Sequence, residues 1–186
     1  MSIAIEDIKQ AIHVLNEGGI IAYPTESVFG LGCNPFNASA VEKILLIKRR
    51  LFLKGFILIT SSWEQVEALT QPLRPEQRAC VQASWPGPVT WVFPADSKLP
   101  AWLTGDRPTI AIRQTNHPVA KALCDAYGGP IVSTSANRAG EIPTTDYHAT
   151  MLMFGEEVDF IMPGRVGELV RPTPIIDART GEQIRQ

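Results

Sequence analysis

Apolar runs of four to six residues, separated by segments of helical period, constrain this chain most. Ile20-Ile21-Ala22-Tyr23 halts at Pro24. Gly55 to Thr60, Val89 to Pro94, Thr109 to Arg113 and Ile131 to Thr134 repeat the pattern. Runs so short and so apolar suit strands buried within a sheet. Between them, Ile8, Ala11, Ile12 and Leu15 share one face of a helix over residues 6–17, which Gly18-Gly19 ends. Ser39 is placed to cap a helix from Ala40 to Arg49, and Ser62 one from Trp63 to Ala68. Pro75 to Ser84 reads as helix until Trp85-Pro86-Gly87-Pro88 breaks it. His117-Pro118 opens another that reaches Tyr127, before Gly128-Gly129-Pro130. Asp159 to Met162 and Pro174 to Asp177 are further short strands, and Pro24 to Gly32 reads as a loop. Strands and helices mix without a clean strand–helix–strand repeat. The expected architecture is therefore α/β (α+β), an open twisted mixed sheet with helices on both sides.

The 186 residues fit one domain spanning 1–186, with a hydrophobic fraction of 45% for its core. A formal net charge of -2 lacks the global basic signature of a nucleic-acid binder. No apolar stretch reaches the roughly eighteen residues of a transmembrane helix. Met1 to Asp7 lacks the basic-then-apolar order of a secretory signal, so a cytoplasmic location without membrane attachment is expected. Cys33, Cys80 and Cys124 are odd in number and far apart, as reduced thiols would be. Cys33 follows a glycine-rich turn and is the candidate thiol nucleophile, but no histidine stands in a partner motif.

Three segments have the composition of a binding site. Lys48-Arg49-Arg50 with Lys54 follows a helix and precedes a strand. These cations either form a solvated helix end that complements the dipole or converge on a triphosphate. Ser133-Thr134-Ser135-Ala136-Asn137 sets hydroxyls and an amide at a strand's carboxyl end, suited to a ligand or to local turn bonds. Pro24-Thr25-Glu26-Ser27-Val28-Phe29-Gly30-Leu31-Gly32 is polar and glycine-rich, yet is neither a P-loop nor a dinucleotide fingerprint. Arg113 ends an apolar strand and is therefore at least partly buried. A buried guanidinium needs an anion, from an Asp or Glu of the fold or from a ligand carboxylate. His13, His117 and His148 have no metal-ligand spacing, and His117 reads as the cap of a turn. Trp63, Trp85, Trp91 and Trp102 read as core rather than as a base-stacking platform.

In their order and spacing these segments resemble the YrdC/TsaC family of threonylcarbamoyl-AMP synthases. The resemblance rests on Ala22 to Gly32, on Lys48-Arg49-Arg50, on Ser84-Trp85-Pro86-Gly87-Pro88-Val89-Thr90, on Ile110-Ala111-Ile112-Arg113 and on Ser135-Ala136-Asn137. It implies a YrdC-like twisted sheet with a concave, positively charged face, in the single-domain form. It implies an enzyme, a nucleotidyltransferase, that condenses L-threonine, bicarbonate and ATP, with Mg²⁺, into L-threonylcarbamoyladenylate and pyrophosphate. A threonylcarbamoyl transferase complex then modifies the adenosine beside the anticodon of tRNA. By position, Lys48, Arg50, Lys54, Thr109, Ser135, Asn137 and Arg185 would contact ATP. Thr25, Ser27, Arg113, Ser133 and Thr173 would surround threonine. No side chain serves as nucleophile and none ligates a resident metal. The chain departs from the family pattern at Ser27, Leu51, Gly55-Phe56 and Thr173-Pro174-Ile175. A tRNA- or double-stranded-RNA-binding factor without catalysis, a paralogue with another substrate and a structural partner in a tRNA-modifying complex are the competing readings.

Overall fold

The structure, a computed structural model, describes residues 3–49, 55–169 and 173–185. Its strands are β1 (Ile21–Pro24), β2 (Phe29–Gly32), β3 (Ile57–Thr60), β4 (Thr90–Pro94), β5 (Thr109–Gln114), β6 (Ile131–Ser135), β7 (Phe160–Ile161), β8 (Ile175–Asp177) and β9 (Gln183–Arg185). Among the described residues they form one mixed sheet in the order β7-β1-β2-β6-β3-β5-β4-β8-β9. β1 with β7, β3 with β5 and β4 with β8 are parallel, and the other neighbours are antiparallel.

Side-chain alternation divides this sheet into two faces. Ala22, Phe29, Leu31, Leu58, Trp91, Phe93, Ile110, Ile112 and Val132 enter the larger core. There they meet Val41, Ile44 and Ile47 of helix α2 (Ala38–Lys48), Val66 of α3 (Trp63–Glu67) and Val81 of α4 (Pro75–Ser84). Leu103 of α5 (Ala101–Thr104) joins the same core. Ile21, Tyr23, Ile59 and Ile131 point the other way, against α1 (Ile5–Asn16) and α6 (Pro118–Tyr127). Helices therefore lie on both sides of a mixed sheet, as expected. The tryptophans are core: Trp85 and Trp91 are buried, and Trp63 meets Trp85 edge-on with centroids 6.2 Å apart.

The structure differs from the sequence reading in several places. Phe29–Gly32 is a strand rather than loop. α2 starts two residues earlier, at Ala38, because the Asn37 side chain accepts the Ala40 N–H at 3.1 Å. The expected Ser39 cap lies inside that helix. α5 and α7 (Tyr147–Phe154) were not anticipated, nor was β9. His117 occupies the N-cap position of α6 but makes no side-chain capping bond.

Candidate functional site

α1 and α6 cover only part of their face of the sheet. Beyond them, the same face of β5, β6 and β4 carries small and polar residues and stays open. Thr109, Ala111 and Arg113 follow one another at strand period on β5, and Ser133 and Ser135 do so on β6. Ile57 of β3 pairs with both Ala111 and Ser133, which brings the two rows together. The β1–β2 loop closes one side with Thr25 and Ser27. Val92, Thr173, Ile175 and Ile184 close the other. The cavity so formed is about 530 Å³, within the range of small-molecule sites.

Arg113 is buried at the cavity wall, with 7% exposure. Of the two sources left open for its anion, the fold supplies one, a glutamate. Arg113 Nη2 stands 3.2 Å from Glu26 Oε2, and its Nη1 donates to Thr173 Oγ1 at 3.4 Å. Thr115 Oγ1 donates to Glu26 Oε1 at 2.6 Å and accepts the His117 N–H at 3.1 Å. Thr173 and Thr90 share a further hydroxyl contact of 3.1 Å. The Arg113–Glu26 contact is one of charge rather than an aligned hydrogen bond. Neither Arg113 Nε nor Glu26 Oε2 has a hydrogen-bond partner among the described residues.

Lys48 is also buried, with 4% exposure, and so is no solvated helix end. Its ammonium donates to Ser135 O at 2.5 Å, Asn137 O at 2.9 Å and Asn137 Oδ1 at 3.2 Å. Ser135 Oγ donates to the same Oδ1 at 2.6 Å, while Asn137 Nδ2 donates to the backbone of Arg138 and Glu141. α2 is capped by Arg49, which is left-handed at φ 50° and turns the chain out of the helix.

Of the residues picked from sequence, Thr25, Ser27, Thr109, Arg113, Ser133, Ser135 and Thr173 all line the cavity. Lys48 and Asn137 stand behind Ser135 rather than in the lining. Arg50, Lys54 and the side chain of Arg185 lie outside the described residues. Sequence reasoning missed Arg107 and Ile184 of the lining, and the Glu26–Thr115 support of Arg113. Thr115 was findable, since it follows Arg113 at strand period. Among the described residues, no three His, Cys, Asp or Glu side chains cluster as metal ligands.

Burial sets the protonation of the nearby groups. It lowers His117, whose Nε2 faces Arg165 O at 3.1 Å. Tyr23, fully buried with its hydroxyl donated to Val132 O, is pushed up. Cys33 is pushed up to about 12 by burial in the larger core, where a thiolate nucleophile is disfavoured.

A mixed sheet with an open, hydroxyl-lined face and a buried arginine at its wall defines an α/β protein with a cavity of small-molecule size on its sheet. The chain belongs to the Sua5/YciO/YrdC family: that family model, described as Telomere recombination, matches residues 13–186. It is 53% identical over 180 residues to a threonylcarbamoyl-AMP synthase of Coxiella burnetii, covering 97% of both chains. To that of Halorhodospira halophila it is 47% identical, covering 96% of this chain and 94% of the other. Among solved structures it resembles P. abyssi Sua5 complexed with L-threonine, at 31% identity and a TM-score of 0.89, over 95% of this chain. It spans about half of that chain (52%). E. coli YciO gives 26% identity and a TM-score of 0.81, covering 96% of this chain and 90% of that one. No helix of the described residues is long and apolar enough to cross a membrane.

Proposed function

We propose that this chain joins L-threonine, bicarbonate and ATP into L-threonylcarbamoyl-AMP and releases pyrophosphate. The observation that carries the proposal is the cavity with buried Arg113 at its wall, in a chain 53% identical to a threonylcarbamoyl-AMP synthase. The threonine amine takes up bicarbonate with loss of water. The resulting carbamate oxygen attacks the α-phosphorus of ATP, and pyrophosphate leaves. The attacking group belongs to the substrate, so the protein need only position, neutralise and keep water away.

Arg113 takes the threonine carboxylate, and Thr25, Ser27, Ser133 and Thr173 surround the rest of that substrate. Thr109 and Ser135 contact ATP, with Asn137 and Lys48 behind Ser135. Arg50, Lys54 and Arg185 complete the phosphate contacts. Mg²⁺ arrives with the triphosphate: the described lining of the cavity includes hydroxyls, Arg107 and Arg113 but no carboxylate to hold a metal by itself. The product passes to a threonylcarbamoyl transferase complex that modifies tRNA. The setting is the cytoplasm, consistent with three free cysteines.

Pyrophosphate release from ATP by the purified chain tests the proposal. It should require both threonine and bicarbonate. Salt-sensitive RNA binding without such release would favour the RNA-binding reading instead.

A further inference from the structure

Glu26 lies outside the cavity lining, yet it is the charged group that Arg113 touches. Three elements hold it. Thr115 at the end of β5 fixes Oε1 through a 2.6 Å hydrogen bond. The strap over residues 163–169 clamps its backbone, with Gly167 N–H on Thr25 O at 2.9 Å and Leu169 N–H on Glu26 O at 3.2 Å. Arg113 itself stands against Oε2. Glu26 also borders a smaller cavity of about 300 Å³ with His117 and the strap.

A guanidinium has five N–H donors in a rigid fork, and its direction is set by whichever edge is fixed first. Here the fixed edge is the one toward Glu26 and Thr173. Nε is buried and has no hydrogen-bond partner among the described residues, so the fold does not use every donor of the guanidinium.

We propose that Glu26 is a positioning residue for threonine recognition: anchored by Thr115, it aims the Arg113 guanidinium at the substrate carboxylate. The inference rests on the function proposed above, through the assignment of Arg113 to threonine. Two effects of Glu26 compete. Its charge offsets that of Arg113 and by itself weakens attraction for a carboxylate. Its anchored geometry removes the orientational cost of binding. Geometry dominates, because a misaligned fork loses its directed, charge-assisted hydrogen bonds to the carboxylate.

Glu26→Asp separates the two effects, since it keeps the charge but withdraws the carboxylate by one methylene. Calorimetric titration of the full chain with L-threonine, beside pyrophosphate-release kinetics, reads the result. Glu26→Asp and Glu26→Gln should each weaken threonine binding and raise its KM by about tenfold, with the ATP KM little changed. Thr115→Val, which leaves both charges in place, should act in the same direction but less, and Thr115→Ser should restore wild-type values. Unchanged threonine affinity in Glu26→Asp, or equal rises in both KM values, would overturn the positioning role. Failure of Thr115→Ser to rescue would overturn it as well. Wild-type protein that binds threonine but releases no pyrophosphate would sink the proposed reaction alone. Wild-type protein that does not bind threonine would sink both.

Discussion

Lys48, the last residue of α2, donates its ammonium to the backbone oxygen of Ser135 at the end of β6, 87 residues further along the chain. With Asn137 it closes a corner in which the cation satisfies three oxygens. Removing the charge leaves those acceptors buried with fewer donors, at about 1–3 kcal/mol. Lys48→Met should therefore lower both the melting temperature and ATP use. For a chain of this size the thermal shift is roughly 2–4 °C per kcal/mol. Calorimetry beside the ATP dependence of pyrophosphate release measures both. A loss of ATP use with an unchanged melting temperature would show that Lys48 contacts phosphate instead of shaping the corner.

The Arg113–Glu26 pair makes a prediction about stability that is separate from binding. Both side chains are buried, so removing either partner strands a charge in a poorly solvated place, at about 3–5 kcal/mol. Removing both should cost much less than the sum of the two single changes. Arg113→Met combined with Glu26→Gln should therefore melt above either single variant while losing threonine-dependent activity. Strictly additive effects in denaturant titrations would show that the two groups do not compensate each other.

Helices and strands with strong periodicity were legible in the sequence; what depended on distant neighbours was not. β2 read as loop because Gly30 and Gly32 weaken any strand signal. Its glycines answer to tertiary crowding: a Cβ on Gly32 would lie 2.7 Å from both the Tyr23 ring and Val132 O. α7 is apolar on nearly every side, as in Met151-Leu152-Met153-Phe154, and so shows no amphipathic stripe. The cavity hydroxyls were legible because they sit at strand ends beside apolar runs. The need of Arg113 for an anion was legible too. The identity of that anion was not, because Glu26 and Arg113 meet only when β1, β2 and β5 assemble into one sheet. Likewise, nothing local to Lys48 reveals that a helix end is buried against β6.

His117 gives stability a pH dependence with a definite sign. Burial of the ring lowers its pKa from the ordinary 6.5; the Arg165 carbonyl and Glu26 act against that, and Arg113 acts with it. Between 6.5 and the lower folded value, the unfolded chain holds a proton that the folded chain does not. Stability from this residue is thus intact above that window, falls as pH drops through it, and levels below it. His117→Gln keeps a donor for Arg165 and removes the titration. The fall in melting temperature between about pH 7.5 and about pH 5.5 should be smaller in this variant than in wild type. Equal falls would exclude His117 as a source.

Cys33 lies in the larger core, fully buried, with its thiol pushed up to about 12. A thiol so placed is a small apolar filler. Cys33→Ser should lower the melting temperature modestly, yet leave pyrophosphate release per folded molecule at the wild-type rate. Complete loss of turnover in a folded variant would restore the thiol to the mechanism.

Gly167 sits where the strap crosses the Glu26 backbone, and a Cβ there would stand 2.6 Å from Glu26 O and 3.1 Å from its Cα. Both are main-chain atoms that cannot swing aside, so Gly167→Ala must displace either the strap or the β1–β2 loop. The loop also bears Thr25 and Ser27 of the cavity wall, and its Thr25 O accepts the Gly167 N–H. The strain should therefore emerge at the threonine side of the site. Gly167→Ala is expected to raise the threonine KM several-fold while changing the ATP KM less, at a cost of roughly 1–3 kcal/mol in stability. Gly140, at φ +86° with nothing within 4 Å of its added Cβ, is the control. Gly140→Ala strains its own backbone but meets no neighbour, so it should lower stability without altering the threonine KM. A Gly167→Ala enzyme with wild-type threonine dependence would show that the strap yields outward and leaves the loop in place.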